Sequence, residues 1–387
     1  MQFIDLKAQQ ARIRAEIDRR IKKVLDEGRY IMGPEVMELE ACLAEFVGTK
    51  HAIACASGTD ALLMALMAYD IGPGDAVITT PFTFIATAEV ISILGATPVF
   101  VDIDPLTFNL DPDQLSRTIS AMIKKNKSRC PLPNIDNFNE LKLKGIIAVD
   151  LFGLPADYER INSIAKEHGL FVIEDAAQSF GAASRGKKAC SLADMACTSF
   201  FPAKPLGCYG DGGMCFTDND HLADIVQSIR VHGKGGHKYD NIRIGVNGRL
   251  DTLQAAILLA KMKIFKEEIE MRNQVAARYS HQIDKSGTGL RLPNVPEGFT
   301  CVWAQYTIVT ENKDQRLLFQ QKLAKQSIPC AIYYPIPLHL QSAFSKLGYK
   351  TGDFPVSEES AKCVLSLPMH PYLETADQDK IIQCIME

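Results

Sequence analysis

The chain has 387 residues, 47% of them hydrophobic and 23% charged, and its 42 Lys and Arg against 46 Asp and Glu leave a formal charge of −4. That length points to two domains and that apolar share to a large buried core, which excludes both a stapled mini-protein and wholesale disorder. The near balance of charge argues against nucleic acid as the main partner. A run of about 18 apolar residues that would mark a membrane span is missing. The 11 cysteines are odd in number and lack C-x-x-C or zinc-like spacing, so they read as small buried hydrophobes. The N-terminal stretch MQFIDLKAQQARIRAEIDRR has no apolar signal core, and the expected compartment is the cytoplasm.

Up to about residue 220, short apolar runs rich in β-branched residues alternate with helical patterns. HAIACA (51–56) precedes a helix beginning near Thr59, with Ala61, Leu62, Ala65 and Leu66 at helical spacing. AVITT (76–80) precedes ATAEVISILG; TPVFVDI (97–103), GIIAVDLFG (145–153), DYERINSIAKEHG and LFVIED (170–175) follow. Strands separated by helices need crossover connections, so the prediction is an α/β fold with a mainly parallel sheet between helices. The lysine-rich, polar segment 119–144 reads as a surface insertion. From Leu250 a long helical pattern leads away from the sheet, and CVWAQYTIVT with the Pro-rich YYPIPLHLQ reads as a smaller α/β domain. The predicted division is a large domain over 1–250 and a small C-terminal domain over 251–387.

The first strand is not followed by the dinucleotide fingerprint G-x-G-x-x-G or by a Walker P-loop, so an NAD or ATP enzyme is not indicated. SGTDALLMAL follows instead, placing Ser57, Gly58 and Thr59 at a helix N-terminus, where free N–H groups and the helix dipole favour a phosphate. Ordinary capping by Ser57 or Thr59 is the plainer alternative. Asp175 closes LFVIED, and open α/β sheets bind ligands at the carboxyl ends of their strands; a turn-capping role is equally open to it. Lys204 lies in SFFPAKPLGCYGDGG. Pro202 and Pro205 exclude a helix interior there, and Phe200, Phe201 and Leu206 surround the lysine with apolar groups. Most lysines are exposed, but an ammonium held in such a loop has a lowered pKa and suits attack on a carbonyl. A phosphate turn, an acid at a strand end and a lysine 29 residues later (204 − 175) are the parts that pyridoxal 5′-phosphate requires. The turn holds the phosphate, the acid keeps the pyridine nitrogen protonated, and the lysine carries the aldehyde.

Over nearly its full length the chain resembles the DegT/StrS family of sugar aminotransferases, which have the aspartate aminotransferase-like fold (fold type I). The matching stretches are GRYIMGPEV, SGTDAL, GDAVITTPFTFIATA, VFVDIDPLTFNLDP, EDAAQSFGA, TSFFPAKPLGCYGDGG, GVNGRLDTLQAAIL and YYPIPLHLQ. Within the family it is most similar to enzymes that aminate UDP-2-acetamido-2-deoxy-3-oxo-D-glucuronate for lipopolysaccharide O-antigen sugars. The resemblance implies that Lys204 binds the cofactor covalently and shuttles the proton, that Asp175 pairs with the pyridine nitrogen, and that Gln178 approaches the ring hydroxyl. It implies that Phe84 stacks on the ring and that Gly58, Thr59 and Ser199 hold the phosphate. Asn247 would reach that phosphate from the neighbouring subunit, so the implied unit is a homodimer with shared active sites. Arg249 and Tyr334 look like substrate-side residues, and Tyr30 would line the sugar pocket from the partner chain. Where the family usually reads His-Tyr-Pro, this chain has Tyr333-Tyr334-Pro335.

Arg230, Lys234, Lys238, Arg243 and Arg249 stand against Asp240 alone in 230–249, five minus one or +4. Such a concentration suits a polyanion such as a sugar nucleotide, with a solvated charge run as the alternative. His232 and His237 have no carboxylates at metal-ligand spacing, and no metal is expected. The implied reaction transfers the amino group of L-glutamate, released as 2-oxoglutarate, to a keto sugar nucleotide. A 4-keto-6-deoxy sugar nucleotide is the alternative substrate, and a catalytically silent cofactor-binding regulator the alternative class.

Overall fold

The apolar runs form the strands of one central sheet in a computed structural model that describes residues 1–237, 239–285 and 289–386. In chain order they are β1 (His51–Cys55), β2 (Asp75–Thr79), β3 (Thr97–Phe100), β4 (Lys142–Val149) and β5 (Phe171–Asp175), then, after the two-residue strands β6 (Ala183–Ser184) and β7 (Lys187–Lys188) that pair with each other outside this sheet, β8 (Met195–Ser199) and β9 (Gly213–Thr217). The helices around them are α1 (Leu6–Glu27), α2 (Pro34–Val47), α3 (Gly58–Ala68), α4 (Ala86–Ile93), α5 (Pro112–Ile123), α6 (Tyr158–Glu167), α7 (Asp220–Ile229) and α8 (Thr252–Lys285). The sheet order is β1-β9-β8-β5-β4-β2-β3. All neighbours pair in parallel except β9, which is antiparallel to both β8 and β1. Six strands therefore share one direction, as the predicted mainly parallel sheet requires, and their carboxyl ends open on one edge.

Period-two alternation sorts the strand residues to two cores. Ile53, Cys55, Val77, Ile147, Ile173 and Cys197 face α3, α4 and α7. On the other face Ala52, Ala54, Met214 and Phe216 pack against α2 and the first half of α8, and Ile78, Ile146, Ala148 and Val172 against α5 and α6. Burial on both faces explains why these strands read as continuous apolar runs.

The expected boundary at 250/251 falls just before α8, and α8 belongs to both cores. Ala255, Leu258 and Phe265 pack on the large sheet. Val275, Tyr279 and Ile283 join Tyr306, Ile308, Leu365 and Leu367 in the smaller core. That core is built on strands β11 (Tyr306–Val309) and β12 (Val364–Leu367) and helices α9 (Lys313–Lys325) and α11 (Thr375–Met386), while the short β10 (Phe299–Thr300) pairs with β6 and α10 (Pro355–Cys363) packs Val356 and Ala361 against Phe82 and Phe152.

Segment 119–144 is only in part a loop. Its first residues complete α5 and its last begin β4. The connection between them is docked: Leu132, Phe138 and Leu141 are buried, Lys125 Nζ donates to Leu141 O at 2.6 Å, and Asn134 N–H donates to Leu347 O at 2.7 Å.

Candidate active site

The carboxyl ends of β1, β2, β5 and β8 and the loop after β8 bring the site together. Ser57 caps α3, its Oγ accepting the Asp60 N–H at 3.0 Å. Capping uses one first-turn donor and leaves the N–H groups of Gly58 and Thr59 at the positive end of the helix, so the cap does not use up the donors a phosphate would need. A Cβ at Gly58 would come within 2.7 Å of Ser199 Cβ, and one at Gly213 within 2.3 Å of Ser57 O. These glycines let the phosphate turn close against the end of β8, where Ser199 stands.

Lys204 follows in a loop tied by Lys204 N–H to Phe201 O and Cys208 N–H to Phe200 O, both 2.8 Å. From α8, the buried Lys261 Nζ donates to Gly207 O at 2.5 Å. The Lys204 side chain is half-buried; burial lowers its ammonium pKa, and the charge of Asp175 works against that shift. Asp175 is 5% exposed. Burial raises its carboxyl pKa, while bonds from Thr87 and Ala177 and the charge of Lys204 oppose the rise. Each group thus lies in the other's field.

The turn after β5 carries Gln178, whose Oε1 accepts Phe152 N–H at 2.8 Å and whose Nε2 donates to Tyr334 Oη at 3.3 Å. Beneath it, Ser179 Oγ donates to the buried Asp150 at 2.6 Å, and Tyr158 Oη donates to the same carboxylate at 2.9 Å. Phe84, just before α4, is 55% exposed with its ring 6.4 Å from that of Tyr334. A core phenylalanine would be covered; this ring is presented to the site. Burial raises the Tyr334 phenol well above its ordinary pKa, so it stays a neutral hydrogen-bonding group. Tyr333 is half-buried with its ring 6.4 Å from that of Phe3, and burial raises its pKa as well.

Lys204, Asp175, Gln178, Phe84, Tyr334, Gly58, Thr59 and Ser199 therefore gather on one edge of the sheet. Asn247, Arg249 and Tyr30 are held by partners other than Lys204 and Asp175. Arg249 Nε donates to Asn247 Oδ1 at 2.8 Å, and the intervening Gly248 O accepts Ala56 N–H at 3.0 Å. Tyr30 is exposed and holds Thr252 N–H through its carbonyl. Among the described residues, no hydrogen bond or ion pair joins these three side chains to Lys204 or Asp175.

The basic stretch is less available than its sequence implies. Arg230 is buried: its Nη1 donates to Ala54 O at 2.8 Å and pairs with Glu40, closing α2 and α7 onto β1. Lys238 lies outside the described residues. Lys234 is exposed and Arg243 half-buried, and with Arg249 they leave three described cations for a ligand. No group of three or more His, Cys, Asp or Glu among the described residues could hold a metal ion, and none of the described helices is long and apolar enough to cross a membrane. Sequence reading missed Thr83 and Thr87. Thr87 Oγ1 donates to Asp175 Oδ2 at 2.7 Å and meets Thr83 Oγ1 at 3.2 Å. Their available signal was a pair of hydroxyls at i, i+4 in the turn after β2, whose end lies on the same sheet edge.

The residues fit pyridoxal phosphate. Helix N–H groups and a serine suit the phosphate, an exposed aromatic ring suits the face of the pyridine, a buried carboxylate suits its nitrogen, and a desolvated lysine suits its aldehyde. Comparison with known proteins agrees. The chain is 50% identical over 376 residues, covering 97% of each chain, to the UDP-2-acetamido-2-deoxy-3-oxo-D-glucuronate aminotransferase of Pseudomonas aeruginosa. It is 43% identical to a pleiotropic regulatory protein of Geobacillus stearothermophilus, over 100% of this chain and 97% of that protein. A crystal structure of a DegT DnrJ EryC1 StrS aminotransferase from Brucella abortus superimposes with a TM-score of 0.92 at 50% identity, covering 100% of this chain and 98% of the other. The profile of one family spans residues 11–386, taking in both cores and every side chain gathered at the sheet edge, and the chain belongs to that family, the DegT/DnrJ/EryC1/StrS aminotransferases.

Proposed function

We propose that the chain is a pyridoxal phosphate-dependent transaminase that aminates a keto sugar nucleotide, with L-glutamate as amino donor. The observation that carries this reading is geometric: the buried Asp175 at the end of β5 and Lys204 in the loop after β8 stand on the ligand-binding edge of the sheet, where Ser199 at the end of β8 meets the first turn of α3. When bound, the cofactor supplies an electron sink for the bonds of the substrate carbon. The chain's own groups do the rest. Gly58, Thr59 and Ser199 hold the phosphate, Phe84 covers the ring, and Asp175 keeps the proton on the ring nitrogen. Lys204 Nζ, its pKa lowered by burial, is the base that takes a proton from the amino-bearing carbon and returns it. Glutamate leaves as 2-oxoglutarate before the keto sugar enters, a ping-pong sequence.

The preferred substrate is UDP-2-acetamido-2-deoxy-3-oxo-D-glucuronate, supported by the identity with the Pseudomonas aeruginosa enzyme. The setting would be the cytoplasm, in the supply of lipopolysaccharide O-antigen sugars. Two copies would share their sites, Asn247 of each reaching the other's phosphate and Tyr30 the other's sugar. The exposed Ile242 and Ile244 beside Asn247, with Tyr30 and Ile31, support a covered surface there. A panel of keto sugar nucleotides offered to the pyridoxamine phosphate-loaded protein tests the reading. The 3-oxo-uronate should be turned over with the highest kcat/KM; a preference for 4-keto-6-deoxy sugars would reassign the substrate, and turnover of none would favour a regulatory role.

A further inference from the structure

The segment that presents Phe84 also ends in a hydroxyl aimed at the acid. Thr83, in the bend before α4, and Thr87, in the first turn of that helix, are both buried. Thr87 Oγ1 lies 2.7 Å from Asp175 Oδ2, and Thr83 Oγ1 lies 3.2 Å from Thr87 Oγ1. The other carboxylate oxygen, Oδ1, accepts Ala177 N–H at 3.2 Å. An ionised carboxylate only accepts, so Thr87 donates to Asp175 and Thr83 donates to Thr87. The Thr87 bond is the shorter of the two Asp175 receives from its surroundings, and it runs to a charge in a dry site, where such bonds are strongest.

We propose that Thr87, backed by Thr83, is a positioning residue that holds the Asp175 carboxylate ionised and aimed, and so keeps the proton on the cofactor's ring nitrogen. The proposal rests on the reading of Asp175 given above. With the Thr87 hydroxyl removed, one oxygen of a buried carboxylate loses its donor while the shape of the site is kept. The proton shared between Asp175 and the ring nitrogen then shifts toward the carboxylate, and the ring becomes a poorer electron sink. One short segment thus sets two contacts of the cofactor ring: Phe84 its face, and Thr87 its nitrogen end through Asp175.

The test is Thr87→Val, which keeps the branched shape, beside Thr87→Ser, which restores the hydroxyl. Each protein is loaded with pyridoxamine phosphate carrying 15N in the ring. Wild type and Thr87→Ser should show a protonated ring nitrogen. Thr87→Val should shift the signal toward the free base and lower kcat about ten- to a hundredfold, the scale of a lost hydrogen bond to a charge, with KM for the sugar nearly unchanged. In an Asp175→Asn background the same substitution should add less than about twofold, since its effect passes through the carboxylate. If Thr87→Val does not fold, Thr83→Val should give the same 15N shift in smaller measure. A wild-type 15N signal and kcat in Thr87→Val, with Asp175→Asn impaired, would overturn the role of Thr87 alone. A protonated nitrogen and full turnover in Asp175→Asn would overturn the reading of Asp175 itself.

Discussion

Arg249 donates through Nε and a terminal nitrogen to the side-chain oxygen of Asn247, which fixes the guanidinium and leaves its remaining donors for a ligand. Tyr333 stands where the family it resembles carries histidine. In a substrate-side position its half-buried phenol, with a raised pKa, would offer a carboxylate a neutral bond and no charge. Recognition of a uronate would therefore fall on Arg249, and Arg249→Ala should cost about 2–4 kcal/mol in kcat/KM for the 3-oxo-uronate and much less for a 4-keto-6-deoxy sugar. Equal losses on both substrates would remove Arg249 from carboxylate recognition. Individual residues were legible where local chemistry is unusual, as for Lys204 between two prolines and Asp175 at a strand end. They were illegible where a partner lies far along the chain. Arg230 read as part of a polyanion site because its partner Glu40 is 190 positions away, and Thr87, 88 positions from Asp175, read as an ordinary helix residue.

Elements were legible wherever apolar runs or helical spacing persisted, which is why β1 to β5 and α8 follow their sequence patterns, whereas β8 and β9, on either side of the Gly- and Pro-rich Lys204 loop, were not read as strands. The insertion too was less legible. Its buried Leu132, Phe138 and Leu141 are spaced without a period among polar residues, and only their docking reveals them. At this scale the informative contact is between α8 and the Lys204 loop. Lys261 is buried, holds Gly207 O, and lies with its ammonium 4.4 Å from the Tyr209 ring centroid. Burial lowers its pKa from 10.5 to about 8, with Glu268 opposing the shift. Between those values the unfolded chain binds a proton that the folded chain does not, so this group makes stability rise with pH across the window from about 8 to 10.5. Relative to Lys261→Met, wild type should gain on the order of 3 kcal/mol over that window. Chemical denaturation of both proteins at pH 7.5, 9 and 10 measures it, and parallel pH profiles would contradict the assignment.

Across the whole molecule, α8 runs from the core of the large sheet into the smaller core, so the helix that begins just after residue 250 belongs to both. Sharing of sites between copies is the property that a single chain displays least. Mixing Lys204→Ala chains with Asn247→Ala chains should recover activity, because each heterodimer then holds one site with both defects and one with neither. No recovery in mixtures shown to exchange subunits would place each site within one chain.

A transaminase of this fold must deliver Lys204 to the aldehyde of pyridoxal phosphate. Reduction of the holoenzyme with borohydride, followed by digestion and mass spectrometry, reads the attachment directly. A pyridoxyl phosphate mass on the peptide holding Lys204, lost in Lys204→Ala, is the predicted result. The same mass on Lys261 or any other lysine, with Lys204 unmodified, would contradict the account.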